Sequence, residues 1–169
     1  MNITSKTRYG LKTLLDIAFH HRVGPVQRRH IAIRQGIPTD YMDQILMRLR
    51  NNGLIHSLRG REGGYHLALD PEEITIWDIA QAVEDEPYSV ENHTATDSES
   101  AYATMYLTSP AWDQVAQAIQ IQLKKVTLAV LLDEGEERLM EEGLDPVELM
   151  ESKPIPVPQP EKAPLRALG

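Results

Sequence analysis

Residues 53–69 read GLIHSLRGREGGYHLAL, a segment that admits few structures. Leu54 to Leu58 and Tyr65 to Leu69 alternate as two strands, and Gly60, Gly63 and Gly64 permit a tight tip between them. Arg59, Arg61 and Glu62 stand at that tip. The glycines invite comparison with a phosphate-cradling nucleotide loop. That reading fails, because G-x-x-x-x-G-K-[ST] is absent and the glycines are followed by a strand pattern, with no helix start.

The residues before the hairpin are helical in pattern. Leu11, Leu14, Leu15 and Ala18 follow i, i+3, i+4, i+7 spacing, with Thr4 or Ser5 as N-cap and Gly24-Pro25 as terminator. A short helix is predicted from about Gln27 to Gln35, with Ile31 and Ala32 inward and Gly36 supplying the turn. The Ala32-to-Gly36 spacing suits tight packing of the pair. Pro38 and Thr39 restart the chain, with Thr39 as N-cap. Met42, Ile45, Leu46 and Leu49 give the next helix its apolar stripe, and Asn52-Gly53 closes it. Two short helices joined by a glycine turn form a helix-turn-helix unit, and a two-stranded ribbon directly after it is a wing. With the stripe facing the core, Gln44 and Arg48 project outward and Tyr41 flanks them, residue types that read base edges or hold phosphates. Arg59 and Arg61 would enter a minor groove or clamp phosphates.

Charge supports a polyanion partner once it is divided. The net charge of −8 conceals 11 Lys+Arg against 4 Asp+Glu in residues 1–66, a balance of +7, and 6 against 21 in residues 67–169, a balance of −15. A segregated but ordinary solvated surface is the plainer alternative. The chain has no cysteine, which excludes disulfides, thiolate catalysis and all-cysteine iron–sulfur ligation. No stretch has the length and apolarity of a membrane span or a signal peptide, so a cytoplasmic protein with no membrane partner is expected.

The segments TSKTRYGLKTLLDIA and IAIRQGIPTDYMDQILMRLRNNGLIHSLRGREGGYHLALDPEEITIWDIAQAVE resemble the Rrf2 family of bacterial winged-helix transcription regulators. The resemblance is strong over residues 1–86 and weaker to about 134. It is most specific at GLIHSLRGREGGYHLA, and departs at Arg61-Glu62, where many members have Pro-Gly. It implies a mainly α fold with a small β wing, a homodimer joined by a long C-terminal helix, and a two-fold double-stranded DNA site near promoters. The DNA-contacting set expected from the residues themselves is Lys6, Arg8, Arg28, Arg29, Thr39, Tyr41, Gln44, Arg48, Arg59, Gly60 and Arg61.

The helix is also visible in the residues. Trp112, Ala116, Ile119, Leu123, Val126 and Val130 step by 4, 3, 4, 3, 4, a heptad seam, and Ser109-Pro110 is a helix start. From Pro110 to Glu134 it would run about 37 Å. A helix packed within its own subunit is the alternative to a dimer. Thr75 and Asp78 form a capping box for a further helix striped by Ile76, Ile79, Ala80 and Val83.

Many relatives carry three cysteines before the long helix and hold an iron–sulfur cluster there. In the resemblance those positions fall near Thr94, Ser100 and Tyr106, with Ser109 where some members have histidine, so no cofactor is expected. His93 with Glu91, Asp97 and Glu99 could hold a divalent metal, against the plainer reading of a solvated loop; no metal site is assigned. Other members without cysteines answer to a partner protein, and that route is open. His20, His21, His30, His56 and His66 show no ligand spacing, and no catalytic arrangement is claimed.

The organisation expected is therefore a winged helix-turn-helix domain over 1–86, a sensor-type loop over 87–108, a dimerisation helix over 109–134 and an acidic, proline-rich flexible tail over 135–169. The function expected is a homodimeric, sequence-specific, cluster-free DNA-binding regulator and not an enzyme. The rival is a protein-interaction module on the same fold, or a regulator that binds DNA only with a partner protein or metal.

Overall fold

The computed structural model describes residues 4–21, 24–60, 63–85 and 99–151, the side chains of 99–106 excepted. Of the loop expected over 87–108, residues 87–98 lie outside the described residues, as do Arg61 and the tail beyond Glu151, while residues 99–108 are helical. Helices α1 (Ser5–His20), α2 (Arg28–Gln35) and α3 (Thr39–Asn51) are followed by strands β1 (Ile55–Leu58) and β2 (Gly64–Leu67) and a 3₁₀ turn at Pro71–Glu73. Then come α4 (Ile76–Val83), α5 (Glu99–Lys125), α6 (Leu128–Glu141) and α7 (Pro146–Glu151).

Helix α1 is the hub, packing on α2, α3, α4, β2, α6 and α7. Thr4 caps it, its hydroxyl accepting from the amides of Lys6 and Thr7. Leu14, Ile17, Ile31, Met42, Ile45, Leu46, Leu49, Ile55, Ile74, Ile79 and Leu128 fill the core and are shut from solvent. Gly36 ends α2 at φ 62°, a left-handed conformation that removes the penalty only for glycine. A Cβ there would meet nothing within 4 Å, so the residue serves the turn and not the tight helix packing expected of the Ala32-to-Gly36 spacing.

The wing pairs antiparallel, with Ile55 opposite Leu67, His56 opposite His66, Ser57 opposite Tyr65 and Leu58 opposite Gly64. Val26 extends it as an isolated bridge, exchanging amide and carbonyl with Tyr65 at 2.8 and 2.9 Å. This lashes the wing to the segment leading into α2.

Three expectations are corrected. Thr39 opens α3 but does not cap it: Pro38 holds the cap position, and no side-chain cap bond forms. The long helix expected from Pro110 to Glu134 is two helices. α5 begins at Glu99, with Pro110 inside it, and ends at Lys125. The break follows from tertiary pairing. Thr127 bridges to Thr75, Ile76 N–H donates to Val126 O at 3.0 Å, and Leu128 N–H donates to Ile74 O at 2.9 Å. Thr127 then caps α6, accepting from the Val130 amide. Val126 therefore sits in the break and Val130 on α6, so of the residues expected in the seam only Trp112, Ala116, Ile119 and Leu123 lie on α5. The span expected to be a flexible tail begins with the last turns of α6 and includes α7. The Thr75–Asp78 box is present in both directions.

Candidate nucleic-acid interface

Helix α3 buries Met42, Ile45, Leu46 and Leu49 against the core. At about 100° per residue, this turns Asp40, Gln44, Met47 and Asn51 directly outward, and all four are exposed. Tyr41 and Arg48 lie on one flank, Asp43 and Arg50 on the other. Asp43, Met47, Arg50 and Asn51 were not among the residues expected from sequence. The apolar stripe already implied them, since they stand opposite or beside its centre.

The flanking residues are engaged. Tyr41 is half-buried and meets the edge of Tyr9, ring centroids 5.3 Å apart at 75°. Arg48 does not project freely: its Nη1 donates to Val83 O at 3.1 Å and its Nη2 to Asp85 Oδ1 at 2.7 Å. Lys6 on α1 donates to the same carboxylate at 2.6 Å. Arg28 grips Asp43 through one guanidinium nitrogen, 2.5 and 2.6 Å from the two oxygens, and this contact raises its pKa. Arg29 Nε donates to His30 Nε2 at 3.2 Å.

Arg8, Arg50 and Arg59 are exposed and enter no ion pair among the described residues. Arg59 precedes Gly60, whose φ of 117° is open only to glycine without strain. The paired glycines beyond it have a steric reason. A Cβ on Gly63 would meet Leu58 O and stand 2.9 Å from Gly60 O, and one on Gly64 would stand 2.7 Å from Val26 O. The hairpin closes on backbone at both positions. Its cross-strand His56 and His66 rings are 5.5 Å apart and tilted, with His66 Nδ1 buried and unpartnered.

A helix-turn-helix whose second helix turns a polar face outward, carried beside a glycine-tipped cationic β-hairpin, defines a winged helix-turn-helix protein. The Rrf2 family model, described as iron-dependent transcriptional regulator, matches residues 3–134. The chain belongs to that family and is a transcriptional regulator of the Rrf2 type. It is 35% identical over 136 residues to the HTH-type transcriptional regulator IscR of Aliivibrio salmonicida, covering 80% of each chain. To IscR of Serratia proteamaculans it is 37% identical over 134 residues, covering 79% of this chain and 80% of that one. Among solved structures, CymR, the global cysteine regulator of B. subtilis, superposes with a TM-score of 0.64 at 31% identity, over 79% of this chain and 98% of that one. IscR of T. potens gives 0.62 at 32%, over 82% and 90%.

The family description raises iron, and the donor set can be tested against it. Cysteine thiolates are the usual ligands of iron–sulfur clusters, and this chain has none. The residues present do not fit a cysteine-ligated cluster. Among the described residues no three His, Asp or Glu side chains converge as a metal site would need. Glu91, His93 and Asp97 lie outside the described residues, as does the Glu99 side chain. No described helix is long and apolar enough to cross a membrane.

Proposed function

We propose that the chain acts in the cytoplasm as a homodimer that binds a two-fold double-stranded DNA site and regulates transcription there without an iron–sulfur cluster. The observation that carries this is the shared exposure of α3's outward face and the Arg59–Gly60 wing tip, with β1 packed on α3 between them. Gln44, Met47 and Asn51 would face base edges in a major groove, while Arg59 would enter the neighbouring minor groove or hold a phosphate. Arg8, Arg29 and Arg50 supply further phosphate contacts. Thr39 and Tyr41 stand at the near end of α3.

Dimerisation is supported by α5. This 27-residue helix leaves Trp112 and Val115 exposed side by side, an apolar surface that a second copy would cover. Trp112, Ala116, Ile119 and Leu123 would form the seam. Two α3 helices would then read half-sites one or more helical turns apart.

The test is selection of genomic DNA fragments by the purified, metal-free protein at near-physiological salt. Recovery of a two-fold motif is expected. Weak, salt-sensitive, sequence-blind binding would overturn competence without a cofactor and favour the partner-protein reading. That second reading has one observation of its own. Met140, Leu144 and Val147 are exposed on the acidic α6–α7 segment, where a basic, apolar partner surface would fit.

A further inference from the structure

The two carboxylates that follow α4 reach back to α1 and α3, and they do different work. The Glu84 carboxylate accepts from the Thr7 amide at 3.2 Å, from the Thr7 hydroxyl at 2.6 Å and from the Thr4 hydroxyl. Helix α1 has no acidic residue in its own first turn. Glu84 thus supplies from another element the negative charge that a helix N-terminus favours.

Asp85 is exposed, and its bonds are to two cations from different elements. Lys6 Nζ on α1 reaches one oxygen at 2.6 Å, and Arg48 Nη2 on α3 reaches the other at 2.7 Å. The bonds to Lys6 and then Arg48 hold the Asp85 carboxyl below its ordinary pKa, so it is charged at neutral pH. An ammonium and a guanidinium aimed at two oxygens of one anion is an arrangement suited equally to a carboxylate and to a phosphodiester. Arg48 lies on the flank of α3 that also carries Tyr41, and α1, which bears Lys6, meets that flank through the Tyr9–Tyr41 ring contact.

We propose that Lys6 and Arg48 form a seat for one phosphate of the DNA backbone, and that Asp85 occupies this seat in the free protein as an intramolecular competitor. The proposal rests on the DNA-binding reading above and adds a regulatory element to it. Exposed ion pairs are weak enough to be exchanged, and duplex DNA offers phosphates at high charge density in return. Asp85 thereby sets a threshold: only a duplex that presents a phosphate at the seat recovers both cations. Glu84 keeps α1 in register throughout, since its bonds do not involve Lys6 or Arg48.

The experiment measures duplex affinity across a salt series for the full chain, using a fragment recovered by the genomic selection. Asp85→Asn is expected to bind about 3- to 30-fold more tightly than wild type, the range of two weak ion pairs released. The gain should vanish when Asp85→Asn is combined with Lys6→Met and Arg48→Met, and Glu72→Gln, which removes an exposed charge elsewhere, should give a smaller gain. An Asp85→Asn protein that folds normally but binds no more tightly would sink the seat while leaving the DNA-binding reading intact. So would a gain that persists without Lys6 and Arg48, because it would then reflect net charge alone. A wild-type protein that binds no duplex overturns the DNA-binding reading, and the seat with it.

Discussion

The Arg34 guanidinium holds Asp16 with two hydrogen bonds, Nε to Oδ1 at 2.8 Å and Nη2 to Oδ2 at 2.6 Å, across the junction of α1 and α2. The Asp16 side chain is only 1% exposed, and Gln35 donates to it at 3.0 Å as well. Removing one partner from such a pair leaves a buried charge without compensation. Arg34→Met should therefore destabilise the protein by about 3 kcal/mol, a fall of roughly 10 °C in Tm. Thermal unfolding checks it, and an unchanged midpoint would show that water reaches Asp16 freely.

Gly64 stands against Val26 O, where an added Cβ would sit 2.7 Å from the oxygen. Gly64→Ala must push apart the Val26–Tyr65 bridge or twist the wing. A cost of about 1–3 kcal/mol is expected, in the range of overpacking, with a loss of duplex affinity larger than the stability change explains. Amide exchange at Val26 and Tyr65 reads the first effect, and a binding titration reads the second. Full retention of both would mean the wing tolerates the shift.

Burial, and after it the Arg29 and Arg34 cations, push the His30 imidazole below its ordinary value of 6.5. The unfolded chain therefore binds this proton more tightly than the folded one. The stability linked to His30 is present above pH 6.5 and is lost as pH falls through the lowered folded value. Protonation also ends the bond that His30 Nε2 accepts from Arg29 Nε. Urea unfolding of wild type and His30→Gln from pH 8 to pH 5 should show a shallower decline in the variant. Parallel curves would remove His30 as the cause.

Arg59 is exposed, unpaired among the described residues, and adjacent to the wing-tip glycine. If it holds one phosphate, Arg59→Ala weakens binding and lowers the slope of log affinity against log salt by about 0.9. An unchanged slope together with unchanged affinity would exclude Arg59 from the interface.

Trp112 and Val115 are 42% and 45% exposed on α5. Large apolar side chains of this kind dominate interfaces, and replacing one at a hot spot costs about 2 kcal/mol or more. Trp112→Glu with Val115→Glu should weaken self-association about 30-fold or more, measured by sedimentation, without unfolding the core. A wild-type protein that is monomeric at high concentration would contradict the seam.

The local elements of this protein are written in its sequence because their causes are local. Thr4 caps α1, Gly36 turns α2 into α3, and the Thr75–Asp78 box opens α4, each through atoms within a few residues of one another. The apolar stripe of α3 and the glycine-tipped hairpin follow from the helical and strand periods alone. The same stripe also placed Gln44 outward, where the structure has it.

What the sequence could not supply arises from partners distant along the chain. The heptad spacing runs through Val126 and Val130 without interruption, yet the helix breaks there, because Thr127 pairs with Thr75 and Leu128 is drawn into the core beside Ile74. A capping threonine just after Lys124 and Lys125 was the one local sign of that break. Lys6, Arg28 and Arg48 read as free cations in the sequence. Only the tertiary structure sets Asp43 against Arg28 and Asp85 against Lys6 and Arg48, because a carboxylate 79 residues away becomes a neighbour only when α1, α3 and α4 pack on one another.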